Sequence, residues 1–209
     1  MLTFSQFQKK YPGNPKPVLS VNDMTLTDGI YWIKGENGSG KTSLMKSIAG
    51  LLPFDGGIKV NDLSLLANRM AYTKIVNYAE AEPQYPAFLT GKELIDFYVA
   101  TKNGAFPFEL HKALGVEKFM HNKTGIYSSG MLKKLSLVLA FIGNPALILL
   151  DEPLIALDVN AVQALQNCIV DYRKVGVSFI LTSHQQIDEK IMRMMQTLAI
   201  TNQQLLLEA

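Results

Sequence analysis

Residues Gly35-Glu36-Asn37-Gly38-Ser39-Gly40-Lys41-Thr42 fit the pattern G-x-x-x-x-G-K-[ST]. Glycines suit a turn whose successive backbone N–H groups point inward at phosphate oxygens with no side chain between, and a helix start behind it adds a favourable field for anionic charge. In such a loop Lys41 reaches the β and γ phosphates and the Thr42 hydroxyl ligates Mg2+. A bare tight turn is the plainer alternative, but the apolar strand before it and the amphipathic helix after it favour a nucleotide. Asp151-Glu152 follows four apolar residues, where a parallel sheet presents its C-terminal edge to a ligand. There Asp151 suits the magnesium shell, held through water, and Glu152 suits polarising a water aimed at the γ phosphate. An acidic helix cap is the alternative. His184 closes another apolar run and would reach the same edge, whereas His111 and His121 read as ordinary loop or core residues. Residues 127–131, YSSGM, read as a serine-capped helix start, which is also a ready anion site.

The elements that must carry these groups follow from apolar spacing and turn residues. Segments 2–7 and 18–26 read as strands, Asp28-Gly29 as a turn, and Ile30 to Ile33 as the buried strand entering the glycine loop. Leu44, Met45, Ile48 and Leu52 recur at helical spacing behind it, and Pro53 closes that helix. A small β region over 55–62 and a strand over 75–79 follow, so the chain up to that point reads as mostly β. From 83 to 143 the character is helical: Thr90-Gly91-Lys92-Glu93 is a capping box, with further helical patterns near 107–121 and 129–142. Then come a strand at 146–151, a helix at 159–175 between Asp158 and Gly176, the strand VSFILTSH, a helix near 186–195, a strand near 197–201 and the LLLE end. The expected plan is an α/β core over 1–82 and 144–209, with an N-terminal β edge and a helical insert over 83–143.

Composition excludes several classes. Of 209 residues, 48% are hydrophobic and 18% charged, which describes a folded globule and not a disordered scaffold. Twenty Lys plus Arg against eighteen Asp plus Glu leave +2, and the scattered Lys9, Lys10, Lys16, Lys133 and Lys134 make no stripe for a nucleic-acid backbone. A single cysteine, Cys168, makes no internal disulfide, and the start MLTFSQFQKK lacks a signal pattern, so a reducing, cytoplasmic setting is expected. The greasiest stretch, 135–150, is interrupted by Gly143-Asn144-Pro145 and falls short of the roughly 20 residues of a spanning helix.

GENGSGKT, YSSGM, LILLDEP, ALD and TSH, in this order, resemble the ATP-binding cassette family of transport ATPases over nearly the whole chain. The resemblance implies an α/β fold: a P-loop NTPase core with a mainly parallel sheet, an N-terminal antiparallel β edge and an inserted α-helical subdomain. It makes 35–42 the Walker A loop, followed by Ser43, Asp151 the Walker B aspartate, Glu152 the catalytic glutamate and His184 the switch histidine. It assigns Ser128, Ser129 and Gly130 to the signature and Asp158 to the D-loop, and makes Tyr11 the aromatic that stacks on adenine, a position otherwise read as a surface turn tyrosine. Two positions depart from the family pattern. Tyr127, Ser129 and Met131 replace the commoner L, G and Q of L-S-G-G-Q. Where the family places a magnesium-sensing glutamine, the chain reads Ala79-Glu80-Ala81-Glu82-Pro83-Gln84, with Glu82 the first choice for the role and Gln84 the second.

The resemblance further implies ATP and Mg2+ as cofactors and a head-to-tail dimer, of two copies or with a similar cassette, in which each phosphate loop faces the partner's signature. It implies membrane-spanning permease subunits as partners, no nucleic acid, and a peripheral place on the inner face of the cell membrane. YSSGM, the short chain and GMLKKL resemble exporter-type cassettes; a soluble cassette ATPase acting on a non-transport partner is the alternative. Tyr85, Phe88 and Leu89 are large apolar residues just before the capping box and are expected to line a permease-docking groove over 83–98; packing back onto the insert's own helices is the alternative.

Overall fold

In a computed structural model, which describes residues 1–185 and 188–208, β1 (Leu2–Lys9) pairs antiparallel with both β2 (Leu19–Val21) and β3 (Met24–Leu26). The single strand expected over 18–26 is therefore two, parted at Asn22-Asp23. β4 (Ile30–Lys34) enters the glycine loop and α1 (Lys41–Ile48) leaves it. β5 (Asp55–Val60) and β6 (Leu63–Ser64) extend the antiparallel edge beyond β1. Before β7 (Val76–Ala79) comes a helix the apolar pattern does not announce, α2 (Arg69–Ile75). Tyr72 is its one buried residue, so no stripe of apolar side chains marks it; the Tyr72 hydroxyl anchors it by donating to the Ile48 carbonyl at 2.8 Å.

The segment that follows carries α3 (Gly91–Lys102), α4 (Phe108–Ala113) and α5 (Ser129–Ala140). The capping box forms as expected: Thr90 Oγ1 accepts the Glu93 N–H at 3.1 Å, and Glu93 Oε2 accepts the Thr90 N–H at 2.7 Å. The helix expected over 107–121 stops at Ala113, because Gly115 at φ +66° turns the chain into a short 3-10 turn, Val116–Lys118. β8 (Leu147–Leu150), α6 (Val159–Lys174), β9 (Ser178–Leu181), α7 (Glu189–Met192), β10 (Met195–Thr201) and β11 (Gln204–Leu207) complete the chain. Of the helix expected over 186–195, residues 186 and 187 lie outside the described residues; α7 is a single turn, and Met195 already belongs to β10.

One mixed sheet holds these strands in the order β6-β5-β1-β2-β11-β10-β4-β9-β8-β7, with β3 beside β1. β10, β4, β9, β8 and β7 run parallel, so their C-terminal ends share one edge. Alternation along the central strands feeds two cores. Leu147, Leu149 and Ile180 pack with Leu44, Met45, Ile48 and Tyr72 of α1 and α2, while Ile148, Leu150, Phe179 and Leu181 pack with residues of α3, α4, α5 and α6. Each fully buried side chain of this kind stabilises the fold by about 1.5–3 kcal/mol. Asn77, buried on β7, donates to the Ala140 and Ile142 carbonyls at 2.8 and 2.9 Å and so stitches the end of α5 to the sheet. The result is an α/β fold, mostly parallel with an antiparallel edge. Among the described residues no helix is long and apolar enough to cross a membrane.

Candidate nucleotide site

The parallel edge gathers most of the residues singled out by spacing. β4 delivers the chain into the loop, where Gly38 and Gly40 take φ values of +80° and +104°, a region that other residues rarely adopt. A Cβ on Gly35 would stand 2.6 Å from Ser39 Oγ, so any side chain there would have to displace that hydroxyl. The Lys41 ammonium curls back onto the Gly35 and Glu36 carbonyls, at 2.7 and 3.0 Å, across the mouth of α1. A cavity of about 380 Å3 opens here, lined by Tyr11, Asn37, Gly38, Gly40, Lys41, Thr42, Ser43, Asp151, Glu152 and His184 among others.

Asp151, just past β8, is 2% exposed. Its carboxylate accepts from Thr182 Oγ1 at 2.7 Å and from the Tyr78 hydroxyl at 3.2 Å. Burial, with the Asp151 and Glu80 charges beside it, pushes the Tyr78 phenol far above its ordinary range, so it stays a donor. Glu152 adopts a left-handed backbone at φ +46°, a strained conformation for a residue with a Cβ. Its N–H donates to Thr182 Oγ1 at 2.9 Å; its carboxylate accepts the His184 N–H at 3.1 Å and lies 3.5 Å from His184 Nε2. A carboxylate held this way at the mouth of a phosphate loop can orient a water and take its proton.

Tyr11 is anchored at both ends: its hydroxyl hydrogen-bonds Ser43 Oγ at 3.0 Å, and the buried Lys9 ammonium sits 4.5 Å from its ring centre. The residue remains 37% exposed. Glu82 and Gln84 are exposed and share a second cavity, about 510 Å3, with Thr42 and Asp151. Between them and β7, Glu80 is held by Lys46 at 2.7 Å.

Not every expected residue lines the first cavity: Gly35, Glu36 and Ser39 line a neighbouring one on the other side of the loop, Glu82 lines the second cavity, and Ser128, Ser129, Gly130 and Asp158 line none of these. Ser128 caps α5 by accepting the Met131 N–H at 3.2 Å. Asp158 caps α6 through the Ala161 N–H at 2.9 Å and pairs with Lys134 at 2.9 Å, which together hold its carboxyl below the usual range. A Cβ on Gly130 would come 3.3 Å from the Ala156 carbonyl, so the start of α5 lies against the 154–158 segment. Thr182, Tyr78, Lys9 and Lys133 escaped the reading of spacing. Thr182 has no role that its place in TSH announces, Lys9 and Lys133 each look like one of a pair of surface lysines, and the use of Tyr78 depends on strand register.

The groove expected over 83–98 is divided by the structure. Tyr85 and Leu89 pack on the core shared with α5, and Phe88 is 72% exposed, outside the lining of the nearby groove. That groove, about 640 Å3, is lined by Met70, Phe97, Tyr98 and Lys102 together with Tyr85 and residues of β7.

The family model for the ABC transporter matches residues 22–155, and the chain belongs to that family. It is 32% identical over 196 residues to the human retinal-specific phospholipid-transporting ATPase ABCA4, covering 88% of this chain and 8% of that protein. It is 32% identical over 161 residues to the cytochrome c biogenesis ATP-binding export protein CcmA of Legionella pneumophila, covering 76% of this chain and 80% of that one. Among solved structures, the dimeric post-hydrolysis state of the ATP-binding cassette MJ0796 with ADP and Pi superposes with a TM-score of 0.79 at 18% identity, covering 100% of this chain and 98% of the other. The chain is thus an ATP-binding cassette ATPase of the transporter class.

Proposed function

We propose that this cassette powers a membrane exporter, two copies or near-copies closing head to tail on ATP and parting after hydrolysis. The observation that carries the reading is Glu152, turned by its left-handed backbone toward His184 at the mouth of the glycine loop. Lys41 neutralises the β and γ phosphates, and loop N–H groups from Gly35 to Ser43 bind their oxygens. Tyr11 stacks on the base, Glu152 orients the attacking water, and His184 holds Glu152 and meets the γ phosphate. Thr42, Asp151 and Glu82 offer hydroxyl and carboxylate oxygens around the second cavity, a hard donor set that fits Mg2+. Held there, Mg2+ would neutralise phosphate charge.

Ser128, Ser129, Gly130 and Asp158 serve the partner's nucleotide, which agrees with their lying outside their own chain's cavity. MJ0796, described as dimeric, supports the pairing, and CcmA, named an export protein, supports the direction. Permease subunits dock in the groove around Met70 and Phe97 and hold the cassette at the inner face of the cell membrane. Glu152→Gln tests the scheme: hydrolysis falls at least about 100-fold while ATP binding remains, and sedimentation in Mg-ATP gives a dimer. Monomer only at saturating ATP would remove the head-to-tail mechanism. Lys41→Ala loses useful ATP affinity in a calorimetric titration.

A further inference from the structure

Lys133, on the second turn of α5, is 2% exposed, and its ammonium donates to three main-chain carbonyls: Glu80 at 2.7 Å, Asp151 at 2.8 Å and Ala81 at 3.4 Å. Burying an ammonium is costly, and an apolar side chain of the same length would fill the space without that cost. Burial pushes this lysine down to about 8, with the Asp151, Glu152 and Glu80 charges acting the other way. The charge is therefore retained against a penalty, and its acceptors point to the reason.

The Asp151 carbonyl belongs to the peptide group that joins Asp151 to Glu152. The N–H of that same group donates to Thr182 Oγ1 at 2.9 Å. Lys133 from α5 and Thr182 from the end of β9 thus grip the two ends of one peptide plane. Rotating that plane changes φ of Glu152, the residue held at +46°, where a side chain is strained. Released on the carbonyl side, the peptide can flip and Glu152 can relax into an ordinary conformation, which turns its carboxylate away from His184. The neighbouring Lys134 reaches the far end of the same segment, pairing with Asp158 at 2.9 Å.

We propose that Lys133 is a positioning residue: by pinning the Asp151–Glu152 peptide and the Glu80–Ala81 backbone to α5, it makes the hydrolytic setting of Glu152 depend on where the signature helix sits. The inference rests on the reading of Glu152 as the water-orienting carboxylate and deepens it. A helix that moves with the partner's nucleotide then carries its position into its own chain's hydrolytic site through a single ammonium.

Lys133→Met keeps length and packing and removes every donor; Lys133→Arg keeps the charge. ATP turnover is measured per nucleotide-binding site, so that unfolded protein drops out of the ratio. For Lys133→Met, kcat falls about 10- to 100-fold with KM for ATP little changed, the pattern of a residue that acts after binding, and Lys133→Arg restores most of the loss. If the methionine variant does not fold, Lys133→Gln is judged by the same split. Wild-type kcat in the folded charge-free variant, or a parallel loss of kcat and ATP affinity that arginine does not restore, overturns the proposal. A Glu152→Gln protein that hydrolyses ATP normally overturns instead the reading of Glu152, whatever the lysine variants do.

Discussion

The Thr182 hydroxyl donates to Asp151 Oδ1 at 2.7 Å and, through the same oxygen, accepts the Glu152 N–H at 2.9 Å. One buried side chain therefore sets both acidic residues of the edge. Thr182→Val keeps the shape and removes both bonds, leaving a buried carboxylate and a backbone N–H short of a partner. The expected cost is about 1–3 kcal/mol in a denaturant titration, with turnover falling further than ATP affinity. Stability equal to wild type would mean that Tyr78 or water fully replaces the hydroxyl.

Tyr11 and Lys9 give a prediction about affinity. Tyr11, its hydroxyl on Ser43 and a cation against its ring, stacks on the base in the proposed scheme. Tyr11→Ala should weaken ATP binding by about 1–3 kcal/mol, roughly 5- to 150-fold, with kcat nearly unchanged. Lys9→Met should weaken it less, by loosening the ring. An unchanged titration for Tyr11→Ala would return this residue to the surface turn that Tyr-Pro-Gly also suggests.

Which parts of this site were legible in the sequence follows from how each residue type is constrained. Gly38 and Gly40 are fixed by their left-handed backbone, so their spacing survives as a readable pattern. Asp151 and Glu152 stand out because they end an unbroken apolar strand. Tyr78 is invisible in that sense: it reaches Asp151 only because β7 pairs in parallel with β8, placing Tyr78 opposite Leu149. Lys133 looks like one more helix-surface lysine until α5 is laid on β7, and α2 has too short an apolar face to announce itself. The glycine at 115 could have ended the helix expected over 107–121, since a left-handed residue is the commonest helix stop.

Cys168 gives a pH prediction. Burial, reinforced by the Asp171 charge, pushes its thiol from 9.0 up to about 12. In the native protein it stays protonated between about 9 and about 12, while in the unfolded chain it ionises near 9.0, so the unfolded state holds fewer protons there. Its contribution to stability is therefore complete below about 9 and lost as pH rises through that window. The buried phenols of Tyr72, Tyr78 and Tyr85, all raised, act in the same direction. Cys168→Ala should make the alkaline fall shallower, and iodoacetamide at pH 8 should label the thiol only after unfolding. Rapid labelling of the folded protein would contradict this environment.

The last prediction separates the groove's working residues from those of the core beside it. Met70 and Phe97 are 82% and 62% exposed, and both line the groove of about 640 Å3. Exposed apolar anchors around a concave surface are what a short amphipathic helix of a membrane partner would pack against. Tyr85 is different, because it packs on the core with Leu89, and burial pushes its phenol well above its ordinary range. Tyr85→Ala should therefore cost stability, about 0.5–3 kcal/mol, before it says anything about docking. A Met70→Ala, Phe97→Ala double variant should melt and bind ATP as wild type does, yet fail to fractionate with membranes when expressed with its permease. If that variant is recruited normally while Phe88→Ala is not, docking runs through the exposed 83–90 loop, and the groove between α2 and α3 is only the seam where those helices meet the sheet.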